Sequence, residues 1–394
     1  MLENYSYNTF RDLNEEDIES LEEVPQHKTS KIVIFLEFTL AIGVLIVLTL
    51  LVNVLTENHK YNKSTVMLTS KAKANVVFII IDDLSWNSMG YMPYDLTFAT
   101  PTLTALAKKG AILTNYYTQE HCTPSRAVLL TGRYPSSIEM QFGDILPNQE
   151  WGLPLNETLF PQVLLKNGYK NYAVGKWNLG HFAPEYLPTA RGFDEFIGML
   201  GAEEYYWSKY TTRDDPVVDF LTANTTCYSV YYNSDRNTYS TKLYTHHIQR
   251  YIEAHDFSRN PMFMYFAAQA VHQPFIDAYD SAAADGIPPS YLSTDMYEQV
   301  LTRVAGKARQ QYAMALILLD NAVRDILTTL TEAGQIDNTY IVVASDNGGC
   351  AGAGGQNWPL RGTKGSLFEG TKYIYFYTVE CLLIVFLLIR RYKG

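Results

Sequence analysis

Residues Asn75–Ile81 form a run rich in Val and Ile that ends abruptly in the pair Asp82-Asp83. A strand apolar on both faces must be covered on both faces, which points to a parallel sheet packed between helices. Similar runs recur at Met262–Ala268 and Tyr340–Ala344, with a shorter one at Asn171–Val174. Helical patterns lie between them at Pro101–Lys109, Leu159–Asn167, Thr241–His255 and Ala308–Ala333, the first with Thr100 as cap and Gly110 as stop. This alternation predicts an α/β domain with a mostly parallel or mixed central sheet sandwiched by helices. No internal repeat or low-complexity tract interrupts it.

In open α/β sheets, ligands bind beyond the carboxyl ends of the strands. The chemically capable residues fall there. Asp82 and Asp83 follow the first run, His272 follows Met262–Ala268 after a few residues, and Asp346 and Asn347 follow Tyr340–Ala344. Carboxylates clustered with an amide oxygen make a hard, oxygen-rich site suited to Ca²⁺ or Mg²⁺. A single Asp-Asp after a strand serves equally well as a helix cap. Two acidic strand ends favour the metal.

Residues 122–133 read Cys-Thr-Pro-Ser-Arg-Ala-Val-Leu-Leu-Thr-Gly-Arg. Pro124 suits the first turn of a helix, where its missing N–H costs nothing. Cys122 is therefore expected just ahead of a helix N-terminus, where orphan donors and the dipole favour an anion, whether thiolate, alkoxide or bound sulfate. Arg126 adds positive charge one turn in. The bland alternative is a buried structural cysteine. The four cysteines, Cys122, Cys227, Cys350 and Cys381, fit no zinc spacing.

The net charge of −10 argues against nucleic acid as a partner. Much of the acidity lies in residues 1–31, read as a solvated cytosolic tail. Residues 32–55 are almost wholly apolar and long enough to span a bilayer, so they are read as a transmembrane signal anchor. A linker, 56–73, leads to the body, 74–372. Sequons at Asn62, Asn156 and Asn224 agree with a body on the secretory side: the lumen, a lysosome or the cell exterior. Residues 373–389 are again apolar, broken by Glu380, and a basic end, 390–394, follows. They are a candidate second membrane helix, which the positive-inside tendency would orient with its basic end in the cytosol.

The segment Cys122–Arg133 closely resembles the signature of the type I sulfatases, in which the Cys is oxidised to formylglycine. The resemblance extends over roughly residues 74–370. Asp82-Asp83-Leu-Ser-Trp-Asn resembles the first metal motif, Gly175-Lys176-Trp-Asn-Leu-Gly180 a lysine motif, and Arg191-Gly-Phe-Asp194 a structural motif. Val271-His272-Gln-Pro resembles the histidine motif and Ser345-Asp346-Asn347-Gly-Gly the second metal motif. Asn357-Trp-Pro-Leu-Arg-Gly-Thr-Lys364, followed by Glu369-Gly370, resembles the final lysine motif. The order and spacing look most like those of arylsulfatase B and its close relatives.

The resemblance implies an alkaline phosphatase/sulfatase-like fold and a sulfuric ester hydrolase. Asp82, Asp83, Asp346 and Asn347 would hold one Ca²⁺, with residue 122 as a further ligand. Lys176, His272 and Lys364 would contact the sulfate, and Arg126 would steady the formylglycine. Its implied partners are a sulfated small molecule or glycan, an amino sugar being one such case, and the formylglycine-generating enzyme during biosynthesis. Phosphatases of the wider superfamily usually place Ser or Thr, not Cys, at the nucleophile. Two features depart from the pattern. Asn178 stands where the family commonly has a His thought to act as a base, and Asn takes up no proton near neutral pH. The apolar stretch 373–389 stands where the family continues with a core strand and a C-terminal subdomain, which is expected to be missing. The departures keep open a second function: a sulfatase-like protein that binds sulfated glycans with weak or no turnover.

Overall fold

The structure is a computed structural model; it describes residues 73–212, 216–231, 238–277, 279 and 285–379, with backbone alone over 372–379. Nine strands form one sheet: β1 (Asn75–Ile81), β2 (Ala111–Tyr117), β3 (Lys170–Gly175), β4 (Glu195–Gly198), β5 (Leu221–Asn224), β6 (Tyr228–Val230), β7 (Met262–Ala268), β8 (Thr339–Ser345) and β9 (Tyr373–Val379). Their order is β2-β9-β8-β1-β7-β3-β4-β5-β6. The middle, from β8 to β4, is parallel. Both flanks are antiparallel. The sheet is thus mixed, with its parallel part where the apolar runs predict it.

Alternation along the central strands explains the two layers above and below. Val77, Ile79 and Ile81 of β1, and Met262, Met264 and Phe266 of β7, enter one core. Helices α1 (Pro101–Lys109), α4 (Ser240–Ala254), α5 (Thr294–Arg303) and α6 (Lys307–Glu332) pack there. Ile80, Phe263 and Tyr265 enter the opposite core with α2 (Cys122–Thr131) and α3 (Phe160–Lys166). Each face of a strand is therefore apolar for its own reason.

Several expectations change. Thr100 occupies the N-cap of α1, but its side chain makes no capping bond. Instead Asp320 of α6 accepts from Thr102 N at 3.0 Å and from Leu103 N at 2.8 Å. Cys122 is the first residue of α2 rather than a residue ahead of it. Tyr373–Val379, the start of the candidate second membrane helix, is strand β9, hydrogen-bonded between β2 and β8. A wholly apolar run carries no period to tell strand from helix. Among the described residues no helix is long and apolar enough to cross a membrane. The stretch 32–55, the acidic tail, the linker up to residue 72 and residues 380–394 lie outside the described residues.

Candidate active site

The four central strand ends deliver their side chains to one place. β1 ends in Asp82 and Asp83, β8 in Asp346 and Asn347, β3 in Lys176, and the loop after β7 carries His272. At the end of β3, Gly175 has φ 102°, and a Cβ there would lie 2.0 Å from the Ala267 carbonyl oxygen. Only glycine allows β3 to run this close to β7 and then turn, with Lys176 N donating to Ala267 O at 2.8 Å. The first turn of α2 brings Cys122 and Arg126. The loop 357–365 brings Lys364.

These groups interlock. Cys122 Sγ donates to Asp82 Oδ1 at 3.2 Å and accepts from Lys364 Nζ at 3.2 Å. Lys176 Nζ donates to Asp82 Oδ2 at 2.6 Å, and Lys364 Nζ lies 2.7 Å from Asp83 Oδ1. Arg126 gives Nη2 (2.8 Å) and Nε (3.2 Å) to Asp346 Oδ2, and Nη1 to the Lys176 carbonyl at 2.9 Å. Asn347 Nδ2 donates to Asp83 Oδ1 at 2.6 Å, and His272 Nε2 stands 3.8 Å from Asp83 Oδ2. Every one of these residues except Lys364 is buried. Three carboxylates face three permanent cations, so the site is close to electrically balanced.

Burial and charge set the protonation. Burial opposes the charge on Asp82, but Lys176, His272, Arg126 and Lys364 outweigh it and hold its carboxyl well below the usual range. Asp346 is pushed up to about 6, by burial and then by Asp82, with Arg126 pulling the other way. The Cys122 thiol is driven well up by burial and by Asp346 and Asp82. Of the anions the helix start could favour, the thiolate is therefore disfavoured, burial being the largest cause.

The described residues fit a hard cation. Asp83 Oδ2 and Asn347 Oδ1 are buried without a hydrogen-bond partner, a state that costs about 1–3 kcal/mol per group unless something fills it. Ligand atoms of Asp82, Asp83, Cys122 and His272 also lie within 4.8 Å of one another. Asp346 is turned onto Arg126, which takes its Oδ2.

Asn178 is buried, with φ 52°, a region that Asn tolerates better than most residues. Its Oδ1 accepts from Thr123 Oγ1 at 2.8 Å and its Nδ2 donates to Ile145 O at 3.4 Å. His181 does not replace it, since its ring sits 3.1 Å from Pro147 O. Sequence reasoning missed His121 and Asp144. His121 Nδ1 lies 3.3 Å from Asp144 Oδ2, and Asp144 Oδ1 accepts from Thr123 N at 2.9 Å. The only available signal was a His directly before the motif Cys; Asp144 sits in an irregular stretch without a pattern.

An α/β sheet whose acidic strand ends converge on a Cys at a helix start sets oxygen ligands beside a side chain that could react. The sulfatase family profile matches residues 74–373, and the chain belongs to the sulfatase family. Arylsulfatase J of Mus musculus is 37% identical over 307 residues, 76% of this chain and 46% of that protein. N-acetylgalactosamine-6-sulfatase of Mus musculus is 30% identical over 313 residues, 75% of this chain and 55% of that protein. The crystal structure of Ps i-CgsB in complex with k-i-k-neocarrahexaose superposes with a TM-score of 0.64 at 26% identity, covering 78% of this chain and 65% of that one. The chain spans about half the length of the curated relatives it matches.

Proposed function

We propose that this chain hydrolyses a sulfate ester, with residue 122 as formylglycine and a calcium ion at Asp82, Asp83, Asp346 and Asn347. The observation that carries the reading is the position of Cys122 Sγ, 3.2 Å from both Asp82 Oδ1 and Lys364 Nζ, within 4.8 Å of ligand atoms of Asp82, Asp83 and His272. Oxidised to the aldehyde by a formylglycine-generating enzyme and then hydrated, residue 122 would supply the hydroxyl that attacks sulfur as the ester S–O bond breaks and the alcohol leaves. The cation would polarise the ester's oxygens.

The remaining chemistry belongs to the chain. Lys176 and Lys364 are held at fixed positions by Asp82 and Asp83, so their ammonium groups meet developing negative charge without reorganising. Burial opposes the charge on Lys176, but the Asp82 carboxylate outweighs it and keeps the ammonium charged. Arg126 fixes Asp346 and the Lys176 backbone, an orienting role more than a contact with residue 122. His272, whose Nε2 is 3.8 Å from Asp83 Oδ2, would meet a sulfate oxygen. The substrate class we favour is a sulfated glycan, with an amino sugar as first choice, since one relative is named N-acetylgalactosamine-6-sulfatase and one solved neighbour holds a neocarrahexaose. A body on the secretory side, anchored through 32–55, agrees with this chemistry.

The test is direct. Protein made through the secretory pathway should carry formylglycine at residue 122 by mass spectrometry. It should release sulfate from an aryl sulfate or from glycosaminoglycan fragments, and lose that activity with a calcium chelator. An unmodified thiol and no calcium-dependent release would sink the proposal. Asn178 supports a second reading, a sulfated-glycan binder with little turnover. Asn178→His should then raise kcat by at least about tenfold, in line with the contribution of a positioned proton-transfer group, with sulfate binding nearly unchanged.

A further inference from the structure

We infer that Asn357 is a positioning residue that acts through Lys364, its amide fixing the loop that carries this lysine against the ends of β1 and β8. The inference deepens the sulfate-ester reading and rests on it.

Asn357 is 5% exposed, although Gln356 and Trp358 on either side of it are exposed. An amide buried this far needs its donors and acceptors filled. All are. Its Oδ1 accepts from Gly349 N at 3.1 Å and, at longer range, from Trp86 N at 3.4 Å. Its Nδ2 donates to Gly349 O at 2.9 Å and to Gly362 O at 3.2 Å. Two donor hydrogens and two acceptor positions are the whole capacity of the group.

These bonds reach three segments. Trp86 lies three residues after Asp83, beyond the end of β1, and Gly349 two residues after Asn347, beyond the end of β8. Gly362 lies two residues before Lys364. One side chain therefore joins both acidic strand ends to the lysine loop.

The three segments meet at Gly349. Its carbonyl also accepts from Thr363 Oγ1 at 3.3 Å and from Lys364 N at 3.4 Å. A Cβ on Gly349 would come 2.5 Å from Ser85 Cβ, so only glycine lets the end of β8 lie this close to the turn after β1. Asn357 and Lys364, the two ends of the loop, are thus pinned to one carbonyl. From there the Lys364 side chain runs inward to Asp83 Oδ1 at 2.7 Å and Cys122 Sγ at 3.2 Å. A lysine ammonium rides on a flexible stem, so its place depends on where the backbone is set. Asn357 sets it.

The experiment is a double-mutant cycle on the full chain, with an aryl sulfate for kcat/KM and calorimetry for inorganic sulfate. Asn357→Ala should lower kcat/KM at least about tenfold, the scale on which a misplaced reacting group is felt. It should weaken sulfate binding as well. In a chain that already carries Lys364→Met, the same substitution should change kcat/KM less than about twofold, because the group it positions is gone. Asn357→Ser, a milder change, should repeat the pattern with a smaller loss. An equal loss with and without Lys364 would make Asn357 a general brace and overturn the assignment. Wild-type kcat/KM and sulfate affinity in Asn357→Ala would overturn it too, as would failure of both Asn357 variants to fold. A wild-type chain that neither binds nor releases sulfate would overturn the reading of the site itself, and this assignment with it.

Discussion

Arg126 lies one turn into α2 and places Nε and Nη2 on Asp346 Oδ2, with Nη2 also 3.5 Å from Asp82 Oδ2, wholly out of contact with water. Removing it would strip the buried Asp346 carboxylate of its cation, while Asp82 keeps Lys176. Arg126→Met should therefore cost about 3–5 kcal/mol of stability by urea titration, and Asp346→Asn in the same chain should return part of it. A loss under about 1 kcal/mol would count against this arrangement, since that is the size of an exposed pair. The residue types at the site were legible because each follows a strand end or sits in a motif: Asp82, Asp83, Lys176, His272, Asp346 and Lys364. Their pairing was not. Arg126 and Asp346 are 220 positions apart, and no local pattern says that the guanidinium holds the metal-site carboxylate rather than residue 122.

Helix α6 braces the site from behind. Tyr312 Oη lies 2.9 Å from Ser85 N, 3.2 Å from Ser85 Oγ, 3.2 Å from Ser88 Oγ and 3.2 Å from the Asp83 carbonyl. The loop that aims Asp83 is thereby tied to a helix of 26 residues. Tyr312→Phe should weaken calcium binding by about tenfold, as loss of a group that orients a ligand does. Calorimetric titration of calcium into the metal-free chain reads this without any turnover, and unchanged affinity would remove Tyr312 from that role. Eight positions further along α6, Asp320→Ala should cost about 1–2 kcal/mol through the start of α1, as loss of a cap does. At this scale the sequence was readable where periodicity is strong. The bounds of β1, α1 and β7 agree with those expected from the apolar runs. It was silent where the period fails. Strand β6 is three residues long and exposed throughout, β2 has a mostly exposed pattern, and β9 lies in a stretch too uniformly apolar to show any period.

At the scale of the molecule, Asn156 and Asn224 are both exposed. Asn224 Oδ1 accepts from Thr226 N at 2.9 Å and Thr226 Oγ1 at 2.8 Å in the turn leading to the edge strand β6. If the body faces the secretory lumen, as we propose, a glycosidase should shift its mobility, and replacing Asn62, Asn156 and Asn224 together should abolish the shift; a body without glycan would contradict that topology. The position of β9 has a consequence for timing. Strand β2 joins the sheet only through β9, which is made about 250 residues after Cys122. At a synthesis rate of about 5–20 residues per second, that interval is on the order of tens of seconds. Until β9 arrives, the flank leading into α2 has no strand to pair with. In the finished fold Cys122 is 1% exposed and Arg126 not at all, so an enzyme that converts residue 122, as we propose, would be shut out of the folded chain. The nascent chain thus carries its own deadline: a free peptide spanning residues 117–133 should be converted readily, and the folded, unconverted protein should resist.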